Sequence, residues 1–282
     1  DESDAIDSLF LDAGDNNEIE IQAYRTLVVN DGDIVHAGNG NTIRLGRNYQ
    51  ALNGSLVVAG DDTTIEASGP SGSFGDVIFK LGDRAAINGG FTVRDEVVGG
   101  VLAKDDLKFN ATARFTASGK GIEAGDRATI AMTSDTDIEA DDSAVFVGDD
   151  LELVLAGRLR SNNEPTIEAN DRAKISNYGS IYGGDVAVSA HDYLEYHNYG
   201  LTASTIQANS FADITVHEGS LVYSTHGYAG IEVEDDSVIT VNGVIDDGYD
   251  PDNVAINPVT GEEMTLNGSD AKGVEGDDRN TV

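Results

Sequence analysis

The chain has 282 residues and sets 17 Lys+Arg against 51 Asp+Glu, a formal net charge of −34 with a sequence pI near 4.1. That excess of carboxylates argues against a partner built on a phosphate backbone. Cys is absent, which removes disulfides, thiolate metal sites and a Cys nucleophile, and no apolar run approaches the ~18 residues of a membrane-spanning helix.

The chain opens on Asp1 without an initiator Met, a basic segment or an apolar leader, as expected of a processed chain or of a piece of a longer one. From there a unit of the form small-x-Asp-x-x-x-Ile recurs, for example Ala-Gly-Asp-Arg-Ala-Thr-Ile at 124–130 and Ala-Asn-Asp-Arg-Ala-Lys-Ile at 169–175. Its centre falls at Asp15, Asn39, Asp61, Asp83, Asp105, Asp126, Asp149, Asp171, Asp192, Ser210 and Asp235, with a further copy at Asp278. Ten steps from 15 to 235 cover 220 residues, a mean spacing of 22. Four residues before each centre stands an apolar column running from Leu11 and Val35 to Ile206 and Ile231, and four after it another from Ile19 to Ile239. Alternation between the two columns predicts a corner joining two short strands. Gly at 14, 38, 60, 82, 125 and 148 precedes the centre, which suits a turn needing unusual dihedrals.

A rung of this length cannot bury an apolar face alone, whereas rungs stacked in parallel close a continuous core. The expected fold is therefore all-β, a right-handed parallel β-solenoid forming one domain over 1–282, with about twelve rungs and a length of roughly 57 Å at ~4.8 Å per rung. No helix or dividing linker is expected. Rung length varies most at 68–76, 158–165 and 246–270, which are predicted to be loops projecting from the rod.

Residues one period apart stack, so the position after each centre reads as a ladder: Asp62, Arg84, Asp106, Arg127, Asp150, Arg172. Six rungs alternate in sign, and each interior Arg should stand between two carboxylates, fixing register. Asp at the centres should accept backbone N–H bonds at the turns, the alternative being a divalent cation such as calcium held by hard oxygen ligands. Calcium has two further candidate places. One is the acidic loop Asp246-Asp-Gly-Tyr-Asp-Pro-Asp-Asn253, with Asp246, Asp247, Asp250 and Asp252. The other is the segment 30–43, containing Asp31 and Asp33.

Seven of ten Tyr and four of five His fall within 178–228. Tyr178 and Tyr199 share a phase and should stack on the outside, while Asn177 and Asn198 should form an internal amide ladder. With Tyr182, Tyr193 and His197 nearby, one reading is a strip suited to a glycan or a protein partner, and the other is ordinary surface decoration of the solenoid.

Segments such as Ile175-Ser-Asn-Tyr-Gly-Ser-Ile181, Tyr196-His-Asn-Tyr-Gly-Leu-Thr202 and Ile239-Thr-Val-Asn-Gly-Val-Ile245 resemble the rungs of bacterial autotransporter passengers and related β-helical surface adhesins. The segment 30–43, with Ile34 and Ile43 nine apart, resembles a pair of RTX-type calcium-binding nonapeptides. These resemblances imply an extracellular, non-enzymatic structural protein: an adhesin stalk or a fibre-forming subunit, calcium-stabilised, without membrane insertion. The alternative is a β-helix that binds or degrades polysaccharide, of the lyase, glycosidase or phage-tailspike kind. Because the pattern reaches Gly276–Val282 within a rung, either further rungs or a second copy docking head-to-tail is expected there.

Overall fold

The computed structural model describes residues 5–6, 9–22, 26–46, 48–224, 229–234, 236–246, 254–265 and 273–276. Over them the chain winds as a parallel β-solenoid of about ten turns, and no helix occurs among the described residues. Each turn passes over three faces, in some turns with one long strand serving two of them. The first face stacks Leu11–Ala13, Val35–Ala37, Val57–Ala59, Phe79–Leu81, Val101–Ala103, Ile122–Ala124, Val145–Val147 and Ile167–Ala169 in parallel register. The second carries Thr42–Leu45, Ala128–Met132, Leu151–Leu155, Arg172–Asn177, Tyr193–Asn198 and Phe211–Val216. Onto the third fall Leu27–Val29, Tyr49–Ala51, Asp137–Ala140, Arg158–Ser161 and Leu221–Tyr223.

Register sets the repeat: Val35 pairs with Val57, Val57 with Phe79 and Phe79 with Val101, each a step of 22 residues. Both apolar columns read from the sequence run down the interior, with Val35, Val57, Phe79, Ile122 and Ile167 from the first and Ile43, Ile65, Ile87, Phe109 and Ile175 from the second fully enclosed. At about 1.5–3 kcal/mol per fully buried aliphatic or Phe side chain, these columns are the main source of stability. Small residues are wanted where the strands pinch toward a corner, and Ala59, Ala103, Ala124 and Ala169 fill that place.

The third face was not foreseen, and it replaces two expected loops. Residues 68–76 lie largely in the strand Thr64–Phe74, whose far half pairs with Tyr49–Ala51. Likewise 158–165 begins with Arg158–Ser161, paired with Asp137–Ala140. Alternating burial along Lys108–Ala117 marks one strand that crosses from the second face to the third, pairing first with Ala128–Met132 and then with Asp137–Ala140. Within 246–270 an excursion does occur: Val254–Ile256 and Glu263–Thr265 form an antiparallel hairpin, tied back to the rod by Asn257 Nδ2 donating to Tyr182 Oη at 3.3 Å. About ten turns stand where twelve rungs were expected; Asp235 and Asp278 lie outside the described residues, while Ile231 and Ile239, four either side of Asp235, are buried and paired with the previous turn.

At the corners the centre side chains do accept backbone N–H bonds, but from the next turn rather than from their own. Asn39, Asp61, Asp83 and Asp126 each donate their backbone N–H to the side-chain oxygen of the centre one turn earlier: Asp15, Asn39, Asp61 and Asp105, at 2.6–3.0 Å. The centre side chain therefore reaches along the rod axis rather than round its own turn. This explains the preceding glycines, because a Cβ on Gly38, Gly60, Gly82 or Gly125 would overlap that same oxygen. The left-handed residue is instead the one after the centre, as at Gly40 (φ 68°), Asp62 (56°) and Arg84 (55°).

Candidate functional site

The charged column grows out of those left-handed positions. Asp62, Arg84, Asp106, Arg127 and Asp150 all have φ between 53° and 60°, so their side chains leave the corner in the same direction, one turn above another. Arg84 grips Asp62 with Nε and Nη2, both at 2.6 Å, Arg127 grips Asp106 at 2.6 and 2.8 Å, and Arg172 grips Asp150 at 2.5 and 2.7 Å. Each bridge is bidentate and points to the turn before. The ladder is thus three clasped pairs, joined more weakly. Hydrogen bonding from Arg127 holds the Asp106 carboxyl below its ordinary range, and the charge of Arg84 adds to this from the other side. Asp150 is lowered in the same way by Arg172 first and by Arg127 second. Without an Arg of its own, Asp149 moves the other way, raised by desolvation and by the neighbouring Asp171 and Asp126.

Sequence reasoning missed a second set of bridges on the other faces. Arg44 bonds both Glu18 and Glu66, and Arg158 holds Asp137 at 2.6–2.7 Å across the third face. The signal was present as opposite charges 21 or 22 residues apart, Asp137 with Arg158 and Arg44 with Glu66, but it lay outside the one column that was followed.

Those candidate calcium ligands that are described bond elsewhere or stand apart from a metal-binding cluster. Asp31 Oδ1 accepts from Asn53 Nδ2 at 2.7 Å and Asp33 Oδ1 from the Ser55 amide at 2.9 Å, so both carboxylates tie one turn to the next. Ile34 and Ile43 fall on either side of a corner within one turn, and the structural period there is 22 rather than nine. Asp246 ends the strand Val244–Asp246, while Asp247, Asp250 and Asp252 lie outside the described residues. Among the described residues no group of three or more His, Asp or Glu converges as a metal-binding cluster.

The aromatic candidates separate into three places. Tyr178 and Tyr199 follow the second-face strands Arg172–Asn177 and Tyr193–Asn198, and their rings stack at 4.5 Å and 6°. His217, one turn further, continues the column, stacked on Tyr199 at 3.9 Å and 11°. His197 lies beside them, its ring 5.6 Å from that of His217. Beneath this strip Asn177 Nδ2 donates to Asn198 Oδ1 at 3.0 Å and to the Leu201 carbonyl, and both Asn side chains are fully buried, so the amide ladder is internal as expected. Buried Tyr196 donates to or accepts from Thr202 Oγ1 at 2.6 Å, and burial raises its hydroxyl pKa strongly. Tyr182 belongs to the third face, half-buried against Leu201, Ala203, Leu221 and Tyr223. Tyr193 stands at the opposite end of its strand from Tyr199, in the column Arg172, Tyr193, Phe211.

Stacking along the axis has a chemical consequence. Tyr178 covers one face of Tyr199 and His217 the other, so the strip offers ring edges, hydroxyls and imidazole nitrogens rather than flat aromatic surfaces. Electrostatics around it are local: Glu195 Oε1 accepts from Lys174 Nζ at 2.8 Å and from His197 Nε2 at 3.3 Å, which lowers the Glu195 carboxyl, chiefly through Lys174. Desolvation, then the neighbouring His197, depresses His217. Toward the Tyr193 end the same face opens into a shallow groove of about 490 Å³ lined by Arg127, Asp150, Glu152, Arg172, Lys174 and Tyr193.

No family model, no curated protein and no solved structure matches this chain. Fold and surface together define its class: a parallel β-solenoid repeat protein whose outer columns are stacked, mutually bonded ladders.

Proposed function

We propose that this chain is an extracellular structural β-solenoid of a bacterium, serving as an adhesin stalk or as a fibre-forming subunit, with no catalytic role. The observation that carries this reading is the parallel stacking of strands maintained over about ten turns, which gives a stiff rod of ~48 Å with charged side chains bonded from one turn to the next. Partners on this reading are other copies or further rungs of the same chain, and a surface protein or glycan met by the Tyr strip. Calcium enters as a counterion to the −34 surface, with the 246–253 loop as its candidate place. Electron microscopy of native material, combined with protease shaving of intact cells, tests it. Surface-exposed rods or filaments support the reading, and a chain retained inside cells as a dispersed particle overturns it.

A second reading, a polysaccharide-binding or polysaccharide-degrading β-helix, is favoured by the Tyr178–Tyr199–His217 strip beside the polar groove. Ring edges and hydroxyls there can hydrogen-bond sugar hydroxyls. Glycan-array binding that is lost in Tyr199→Ala supports it, and release of oligosaccharides from a bound polymer would extend it to an enzyme.

A further inference from the structure

We propose that His197 and His217 form a two-imidazole clamp for a divalent transition-metal ion of the Zn²⁺, Ni²⁺ or Cu²⁺ type. The two side chains come from adjacent turns, His197 within the strand Tyr193–Asn198 and His217 just beyond Phe211–Val216. His197 Nδ1 and His217 Nε2 face each other at 3.4 Å. Two nitrogens bound at ~2.0–2.1 Å to one tetrahedral ion stand ~3.4 Å apart, so the clamp is already at ligand spacing.

What holds each ring also suits coordination. With Nε2–H of His197 donated to the Glu195 carboxylate, which is paired with Lys174, the lone pair of Nδ1 is directed at His217. A carboxylate behind a metal-binding imidazole orients the ring and raises its basicity, and Glu195 occupies that position. Lys174 shares the same Glu195 oxygen and keeps the carboxylate in place. His217 is fixed differently, by the Tyr199 ring stacked on it at 3.9 Å. In the absence of an ion, His217 Nε2–H donates to His197 Nδ1. Binding requires His217 to carry its proton on Nδ1 instead, a tautomer change with no net proton transfer for a neutral ring. The remaining ligand positions fall to water, since only two protein nitrogens converge, and imidazole suits these ions better than it suits calcium.

The test uses the full chain titrated with Cu²⁺ alone, followed by electron paramagnetic resonance, and with Zn²⁺ alone, followed by calorimetry. Expected is one ion per chain, two-nitrogen hyperfine structure for Cu²⁺, and an affinity reduced at least tenfold in His217→Ala and in His197→Ala. Glu195→Gln should weaken binding by ~10-fold or more, in the range found for partners behind metal ligands. His191→Ala, on an exposed corner of the same region, should leave binding unchanged. Imidazole nitrogen NMR of the unmutated chain gives an independent reading: Zn²⁺ should shift Nδ1 of His197 and Nε2 of His217 and not the other His residues. Oxygen-only copper signals, affinities equal in parent and both His variants, or imidazole shifts spread evenly over all five His would each overturn the proposal.

Discussion

Replacing Gly125 by Ala tests how the corners are built. Its φ is not in the left-handed region, so the backbone accepts Ala, and the gain from a stiffer unfolded chain is ~0.4–1 kcal/mol. The new Cβ, however, falls on Asp105 Oδ1, whereas the other nearby atoms, the Lys104 carbonyl carbon and Asp105 Cγ, stand at an ordinary 3.4 and 3.5 Å. Only the carboxylate must move, and moving it breaks the 3.0 Å bond it accepts from the Asp126 amide. A hydrogen bond to a charged group contributes about 1.5–3 kcal/mol, toward the lower end here because both residues are half-buried. The net expectation is a loss of about 1 kcal/mol for Gly125→Ala. In an Asp105→Ala background the obstacle is gone, so the same Gly125→Ala change should stabilise by ~0.4–1 kcal/mol. Denaturant unfolding of the four-member cycle measures the sign change, and hydrogen exchange at the Asp126 amide, faster in Gly125→Ala, locates it. If Gly125→Ala has the same sign in both backgrounds, the glycine is not there for the carboxylate and the reasoning fails.

Arg127→Glu places like charge against Asp106 and Asp150, so its melting temperature should fall at low salt and recover toward the parent in molar salt; salt-independent melting would refute the role of the ladder. Asn177→Ala strips the Gly179 amide, the Leu201 carbonyl and Asn198 of a buried partner and should cost at least ~1–3 kcal/mol by chemical denaturation, against near-neutrality if the ladder merely fills space. On the acid side, their Arg partners hold the Asp62, Asp106 and Asp150 carboxyls below the ordinary 3.8 of a free Asp, so their contribution is present above about 3.8 and lost as pH falls through the folded values. Asp149 is raised and acts in the opposite sense; melting curves through this range should therefore show a smaller acid loss in a variant with Arg84, Arg127 and Arg172 all changed to Ala than in the parent. If the 246–253 loop takes calcium, a chelator should lower the melting temperature and millimolar calcium restore it, whereas identical curves leave that loop a solvated turn.

Much of the fold was legible because a solenoid writes its geometry into period and phase. The spacing of 22, the columns through Val35 and Ile43, the corner at the Asp centres and the outward and inward ladders at Tyr178–Tyr199 and Asn177–Asn198 all follow from which residues recur at one phase, and stacking makes phase equivalent to position. Opposite charges one period apart, as in Asp106 and Arg127, had to meet for the same reason. What the linear pattern left open depends on the third dimension. Strands such as Arg158–Ser161 are too short and too variable in sequence to announce themselves, and become strands only because a neighbouring turn supplies backbone partners. The glycines before each centre were traceable to a turn but not to its cause, since the group that excludes a Cβ comes from the previous turn. His197 and His217 lie 20 residues apart and out of phase by two, so no column unites them; only the lateral offset between adjacent turns brings Nδ1 of one to Nε2 of the other.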